Sequence, residues 1–489
     1  MHYLLAIDQG TSSTRAMLYS LQGELVRVSQ HPLTQFYPRF GWVEHDPEEI
    51  WRTTMTSICD VVSAVDVKNI MACGLTNQRE TTVIWDKQTG NCLAPAIVWQ
   101  DRRTQTFCLS LAAQADMINA KTGLHPDSYF SASKLHWLLD NVPQAAELVE
   151  QNRLAFGTID SFLIWRLTGG ASHLTDVTNA SRTLLFNIHK EAWDDELLQL
   201  FSIPKSVLPK VRACDAHFGH IKKELFGAAI PITGVAGDQQ AALIGQGCLS
   251  DGMVKATFGT GGFLLLNTGD KPVQSKHQLL TTIAYKIQGK TNYGLEGSLY
   301  HAGTTVKWLC DELKILRQPC ESETLAQSLA SNEGVYLVPS FTGLGAPHWL
   351  STPGAAIIGL SRTSHRAHFA RAALESVCYQ TRDVITCMRE DSGIIPSQLK
   401  VDGGMAANQW FLQFLASLCG IAVGCPENIE ATALGVAMLA ALGAGAVDGL
   451  EIFSERKILG KQLFPGGDPL SIEADYQGWL RALKMVKAG

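Results

Sequence analysis

The residues of this chain that could do chemistry are two carboxylates, an arginine and two glycine-rich turns. Residues 4–7 are apolar and end at Asp8; Gln9, Gly10, Thr11, Ser12, Ser13, Thr14 and Arg15 follow, and a second apolar run covers 16–19. The pattern predicts two antiparallel strands joined by a tight turn that aims backbone N–H groups and hydroxyls at one point. Convergent N–H dipoles suit a polyphosphate, because they bind an anion without burying a full positive charge. Asp8, closing the first strand, is placed to hold Mg2+, a hard cation that prefers carboxylate, water and phosphate oxygens. On these residues alone an ordinary hairpin turn stays open. The motif returns near the midpoint, where Phe258-Gly259-Thr260-Gly261-Gly262-Phe263 separates two apolar runs. Two such turns, offset by about half the chain, point to two similar domains clamping a nucleotide. The boundary is expected within 249–252, giving domains 1–248 and 249–489.

Phosphoryl-transfer enzymes combine phosphate-cradling turns, a metal carboxylate and a base that takes the acceptor's proton. Asp238 is the candidate base. It follows a glycine-punctuated run at 232–237 and precedes the second turn, where an acceptor hydroxyl would lie in line with the γ-phosphate. A carboxylate is a weak base, yet it can take the proton late, as the oxygen–phosphorus bond develops. Arg15 adds charge stabilisation near the phosphates.

The elements that must position these groups read as alternating strands and helices. Asp46-Pro47-Glu48-Glu49 opens a helix, with Asp46 as N-cap and Glu49 closing a capping box. Residues 70–75 form an apolar strand followed by polar Thr76 to Glu80; ligands gather at such carboxyl ends in open α/β sheets, so Arg79 and Glu80 are site candidates, with a surface ion pair as the other reading. A second strand ends in Trp99-Gln100-Asp101. A strand and helix are expected around Asp160, a surface excursion over 210–231, and a helix over 241–248. In the second half, Asp402-Gly403-Gly404 and Asn408 between a strand and a helix could accept a nucleoside, or form an ordinary strand–helix turn. The apolar tract 431–447 reads as a buried helix, and the tail from Ile452 as an appended element anchored by Trp479.

Composition bounds the rest. At 489 residues the chain is too long for one core. With 46% hydrophobic and 18% charged residues it reads as globular rather than disordered. A formal net charge of −6 gives no footprint for nucleic acid. No membrane insertion is expected, and Met1 leads straight into the first strand, which points to the cytoplasm. The twelve cysteines contain no CxxC pair and are expected to be reduced, without a zinc site. A homo-oligomer stays open.

Long strings then carry a resemblance. Asp8-Gln-Gly-Thr-Ser-Ser, Thr76-Asn-Gln-Arg-Glu-Thr-Thr, Ile97-Val-Trp-Gln, Thr175 to Thr183, Gly237-Asp-Gln-Gln, Phe341-Thr-Gly-Leu-Gly-Ala-Pro and Val401-Asp-Gly-Gly resemble the FGGY carbohydrate kinase family nearly end to end. The resemblance implies an α/β fold of two actin-like, ribonuclease-H-like ATPase domains with the active site in the cleft between them. It implies ATP and Mg2+ as cofactors and glycerol as the small-molecule substrate, converted to sn-glycerol 3-phosphate. It assigns Arg79, Glu80, Tyr129, Asp238 and Gln239 to the glycerol hydroxyls and Trp99 and Phe263 to its carbons. It assigns Thr11, Ser12, Ser13, Arg15, Thr260, Gly303, Gly404 and Asn408 to ATP. Lys307 stands where relatives often carry glutamine near the nucleotide; it either meets a phosphate or faces solvent, and solvent is favoured. Some bacterial relatives bind an inhibitory sugar bisphosphate on a Gly-rich, arginine-containing loop, and the stretch from Gly219 lacks that pattern. The rivals are a kinase for a longer polyol or ketose and an actin-like ATPase acting as an assembly module. The second leaves Arg79, Glu80, Trp99 and Gln239 unexplained.

Overall fold

The computed structural model describes residues 2–350, 354–426, 430–451 and 460–488. Its frame is a pair of mixed sheets built to one plan. In the first, strand Tyr3–Gln9 pairs antiparallel with Ser13–Ser20, which pairs antiparallel with Leu25–Pro32. On its other side Tyr3–Gln9 runs parallel to Ile70–Asn77, and that strand parallel to Ile230–Gly237. The second sheet repeats this with Met253–Phe258, Gly262–Gly269 and Lys290–Leu299 as the meander and Gln398–Asp402 and Val423–Cys425 as the parallel strands. Each sheet is finished by a short antiparallel strand, Gly219–Ile221 in one and Lys461–Leu463 in the other. The second sheet also gains an outer strand, Leu280–Ile287. Strands 3–9 and 70–77 are buried over most of their length, as central parallel strands covered on both faces must be.

Several local expectations change. The helix Pro47–Val62 has Asp46 as N-cap, accepting from Glu48 N at 2.9 Å, but no capping box forms: the Glu49 carboxylate is taken by Thr34, at 2.9 Å from its hydroxyl. The stretch 210–231 is no mere surface excursion, because Phe218 and Ile221 are in the core and 219–221 is the sheet's edge. The helix expected from Ala241 starts at Asp238 and spans Asp238–Gly245. The tail's expected start at Ile452 lies outside the described residues. Trp479 is its anchor: on helix Pro469–Ala488, it is fully buried, lies against Tyr379 at 5.5 Å and donates to Asp383 Oδ2 at 3.0 Å. All twelve cysteines are free, and no helix among the described residues is long and apolar enough to cross a membrane.

Two helices tie the lobes together. Asp238–Gly245 leaves the last parallel strand of the first sheet and lies between the two sheets. Ala431–Gly443 follows Val423–Cys425, the matching strand of the second sheet, yet packs on strands 70–77 and 230–237 of the first. They cross at small residues: a Cβ on Gly435 would stand 1.9 Å from the Ala241 carbonyl, and one on Gly245 1.9 Å from that of Ala431. Nothing larger than hydrogen fits there.

Candidate active site

The first turn forms as the spacing predicts. Asp8 faces Arg15 across the hairpin, and Gly10 N–H donates to the Ser13 carbonyl at 2.9 Å, leaving Thr11 and Ser12 at the tip. Gln78, just beyond strand 70–77, braces the turn by donating to Gln9 Oε1 at 3.1 Å and to the Gly10 carbonyl at 3.2 Å. Buried His45 stands behind Gln78, and burial pulls its imidazole down to about 4, so it is neutral at physiological pH.

In the second turn Gly259 and Thr260 are exposed. Their carbonyls are taken by the start of helix Gly303–Asp311: Gly303 N–H donates to Gly259 O at 2.9 Å and Ala302 N–H to Thr260 O at 3.1 Å. Gly403, at φ +87°, passes so close that a Cβ would be 2.5 Å from the Phe258 carbonyl, whereas Gly404 opens on free space. Thr260, Gly303 and Gly404 therefore frame one side of the cleft. Asn408 caps helix Gln409–Cys419, its Oδ1 accepting from Phe411 N at 2.9 Å. Lys307 is 70% exposed and 3.8 Å from Asp311, facing solvent.

Between the turns lies a buried ionic network that the sequence reading captured only in part. Arg79 Nε is 3.2 Å from Asp238 Oδ1, and Nη1 and Nη2 of the same guanidinium reach Glu296 at 2.6 and 3.2 Å. Arg182 bridges Glu80 at 2.7 Å and Glu296 at 2.9 Å. Burial pushes the Glu296 carboxyl up, but Arg182 and Arg79 together outweigh it and hold it at about 2. Glu296 belongs to the second sheet and both arginines to the first lobe, so the network stitches the lobes at the floor of the cleft. Glu80 sits at φ +62°, a strained conformation for glutamate that turns its side chain toward Arg182.

An aromatic wall stands beside this floor. Trp99 lies 5.6 Å from Tyr129 and 6.2 Å from Phe263, edge to face in both cases, and its indole N–H donates to Thr11 Oγ1 at 2.9 Å. Arg79, Glu80, Tyr129, Asp238, Gln239, Trp99 and Phe263 are thus brought to one place, with apolar faces on one side and paired donors and acceptors on the other. Arg182, Glu296, Gln78 and Lys255 were missed. The available signal was a charge inside a strand of uncharged neighbours, as at Lys255 in Met253–Phe258, and at Glu296, separated by five residues from the next charge in its strand.

Asp8 sits where charges converge. Burial raises its carboxyl to about 7, against the pull of Arg15 and with Asp238 and Glu430 adding to the rise. Arg15 itself spans the cleft to Glu430 Oε2 at 2.6 Å. An uncompensated carboxylate of this kind fits a divalent cation. No group of three or more His, Cys, Asp or Glu gathers for a metal among the described residues, so Mg2+ at Asp8 would complete its shell with phosphate oxygens and water.

Comparison with known proteins shows the family and the fold. Residues 3–245 match the N-terminal domain and residues 254–444 the C-terminal domain of the FGGY family of carbohydrate kinases. The chain is 51% identical over 490 residues to a glycerol kinase of Ectopseudomonas mendocina, covering 99% of each. It is 49% identical over 490 residues to one of Burkholderia multivorans, covering 99% of this chain and 98% of the relative. The solved structure of Plasmodium falciparum glycerol kinase with ADP shares 36% identity at a TM-score of 0.94, covering 99% of this chain and 98% of that one. A ligand-bound xylulose kinase from Lactobacillus acidophilus, 22% identical at a TM-score of 0.90 and covering 100% of this chain and 98% of its own, shares the fold. The duplicated sheets are the actin-like pair of α/β lobes, and with a matching domain on either side of the cleft this chain belongs to the FGGY family of carbohydrate kinases.

Proposed function

We propose that the protein transfers the γ-phosphoryl group of ATP to glycerol, giving sn-glycerol 3-phosphate and ADP. The observation that carries the reading is the Arg79–Asp238 contact beside the Trp99–Phe263 wall. Asp238 Oδ1 is occupied by Arg79 Nε at 3.2 Å and by the Gln239 N–H at 2.7 Å, which leaves Oδ2 to meet a hydroxyl. A triol of three carbons offers little apolar surface and three donor–acceptor groups, and the floor of the cleft supplies polar partners in that proportion. Full-length identity to glycerol kinases supports glycerol over a longer acceptor.

In this reading Asp238 accepts the proton of the reacting hydroxyl as the new oxygen–phosphorus bond forms. Arg79, Glu80, Tyr129 and Gln239 hold the neighbouring hydroxyls and Trp99 and Phe263 pack on the carbons, while closure of the cleft excludes water, which would otherwise compete as acceptor. Thr11, Ser12, Ser13 and Arg15 on one side and Thr260, Gly303, Gly404 and Asn408 on the other hold the nucleotide. Asp8 would hold Mg2+, which when bound would supply positive charge beside the phosphates. Residues 1–248 then supply the polyol site and one phosphate turn, residues 249–489 the nucleotide site, and the enzyme works in the cytoplasm. A homo-oligomer is compatible with this reading and not required by it.

The test is a coupled assay of ADP release with no acceptor, glycerol, erythritol and xylulose. Release that depends on glycerol and is at least tenfold weaker with the longer acceptors is the expected result; polyol-independent release would sink the proposal.

A further inference from the structure

Packing does not explain why a lysine stands at position 255. On strand Met253–Phe258 the side chains of Val254, Ala256 and Phe258 enter the core of the second lobe, and Lys255 points to the opposite face, where it is fully buried. Burial pulls its ammonium below the ordinary lysine value, while Asp402 and Asp238 favour the charged form. A buried ammonium is costly, and an apolar residue of similar volume would fill the space more cheaply. What Lys255 does contact is the polyol site: Nζ donates to Oε1 of Gln239, the neighbour of Asp238. A lysine ammonium has three donors and no acceptor. The amide oxygen of Gln239 must therefore face Lys255, and its NH2 group must face away. That Nε2 has no hydrogen-bond partner among the described residues and is not sealed from solvent.

We propose that Lys255 is a positioning residue that fixes Gln239 as an obligate hydrogen-bond donor to one polyol hydroxyl, and so sets the donor–acceptor order of the pocket. This rests on the glycerol reading above. Two adjacent residues then have opposite polarity: Asp238 Oδ2 accepts and Gln239 Nε2 donates. The reacting hydroxyl gives its proton toward Asp238, while a second hydroxyl receives the Gln239 N–H on its oxygen. An acceptor without that second hydroxyl leaves Nε2 desolvated and unpaired, which discriminates more strongly than a lost apolar contact. Lys255 also lies on the strand that runs into the turn Gly259–Gly262. The lobe that frames the nucleotide thus sets the orientation of a residue that reads the polyol.

The test compares the full-length wild type with Lys255→Met, Gln239→Ala, the double variant and Gln239→Glu, measuring KM for glycerol and for ATP separately. Lys255→Met and Gln239→Ala should each raise the glycerol KM about tenfold, the size of one lost neutral hydrogen bond, with the ATP KM changed less than about twofold. The double variant should be no worse than the worse single one, because both changes remove the same contact. Gln239→Glu keeps the size and the bond to Lys255 but has no N–H to offer, so it too should raise the glycerol KM about tenfold. Effects that multiply in the double variant, an ATP KM rising in step with the glycerol KM, or a wild-type glycerol KM in Gln239→Glu would each overturn the proposal. Should Lys255→Met fail to fold, Gln239→Glu decides alone. A wild type that releases no ADP on adding glycerol removes the functional reading as well; an active wild type with any of the contrary results removes this inference only.

Discussion

Asp8 and Arg15 are cross-strand partners at the mouth of the first hairpin, and Arg15 continues across the cleft to Glu430 at 2.6 Å. Arg15 is therefore shared between the carboxylate beside it and one from the opposite lobe, and Asp8 keeps only part of its charge. Its carboxyl, raised by burial to about 7, must lose its proton before a cation can use it.

Metal-dependent nucleotide binding should accordingly release protons. Near pH 7 about half a proton should leave per Mg-ATP bound, and affinity should fall toward tenfold per pH unit below 7 and level off above 8. Calorimetric titration in buffers of different ionisation heat would measure the release. Asp8→Asn should abolish both the release and the pH slope. Stability of the ligand-free protein depends on pH in the opposite direction. A carboxyl whose folded value lies above its unfolded one favours the folded state at acid pH, and that contribution is lost as pH rises from about 4 through 7. Asp8→Asn should thus raise the thermal midpoint of the ligand-free protein more at pH 8 than at pH 5.

Asp238→Asn retains the contact surface and removes the proton acceptor. Glycerol-dependent turnover should drop roughly 10²- to 10⁴-fold, the range for a general base, while ATP affinity stays within about threefold. Near-normal turnover would take Asp238 out of the mechanism.

Glu296 neutralises two buried guanidiniums at once. Glu296→Gln leaves both short of a counter-charge, and removing one partner of a buried pair costs about 3–5 kcal/mol. Urea unfolding should show a loss of that order, accompanied by a higher KM for glycerol as Arg79 loosens. A loss below about 1 kcal/mol, the scale of exposed pairs, would mean the network is hydrated and does not brace the floor.

The helix crossing gives a prediction in which two effects oppose. Gly435→Ala gains about 1 kcal/mol of helix propensity. It also drives a Cβ to 1.9 Å from the Ala241 carbonyl, and overpacking of this kind costs about 1–3 kcal/mol. Backbone atoms cannot swing aside as a side-chain end can, so the clash should win and the thermal midpoint should fall.

Fructose 1,6-bisphosphate should leave activity unchanged. The region from Gly219 is an edge strand, Gly219–Ile221, followed by the short helix Lys223–Phe226, with Lys222 and Lys223 but no arginine and no open glycine loop. Clear inhibition at millimolar concentration would show a binding mode that this stretch does not provide.

Much of the frame was legible because it is local. A carboxylate followed by glycine and hydroxyl residues between two apolar runs can hardly form anything but a hairpin, and its repetition exposed the duplication. Arg79, Trp99 and Asp238 stood out because each lies within two residues of a strand's carboxyl end. Arg182, Glu296 and Lys255 did not, since their meaning lies in partners more than a hundred residues away or on the far face of a sheet; an isolated charge in a strand shows that something pairs with it, not what. The capping box failed for a similar reason: Glu49 had a rival in Thr34, brought close only by the fold. Helix 431–443 was recognised as buried, but its seat on the opposite lobe's sheet depends on glycines at 74 and 234 that single-residue patterns do not connect to it.

The crossing of 238–245 and 431–443 has a mechanical corollary. Asp238 begins one helix and Glu430 immediately precedes the other, so the proposed proton acceptor and the carboxylate that tethers Arg15 ride on the two arms of a single pivot. A swing of one lobe against the other would turn both arms together, so a change at Asp238 and a change in the Arg15–Glu430 pair would come as one movement.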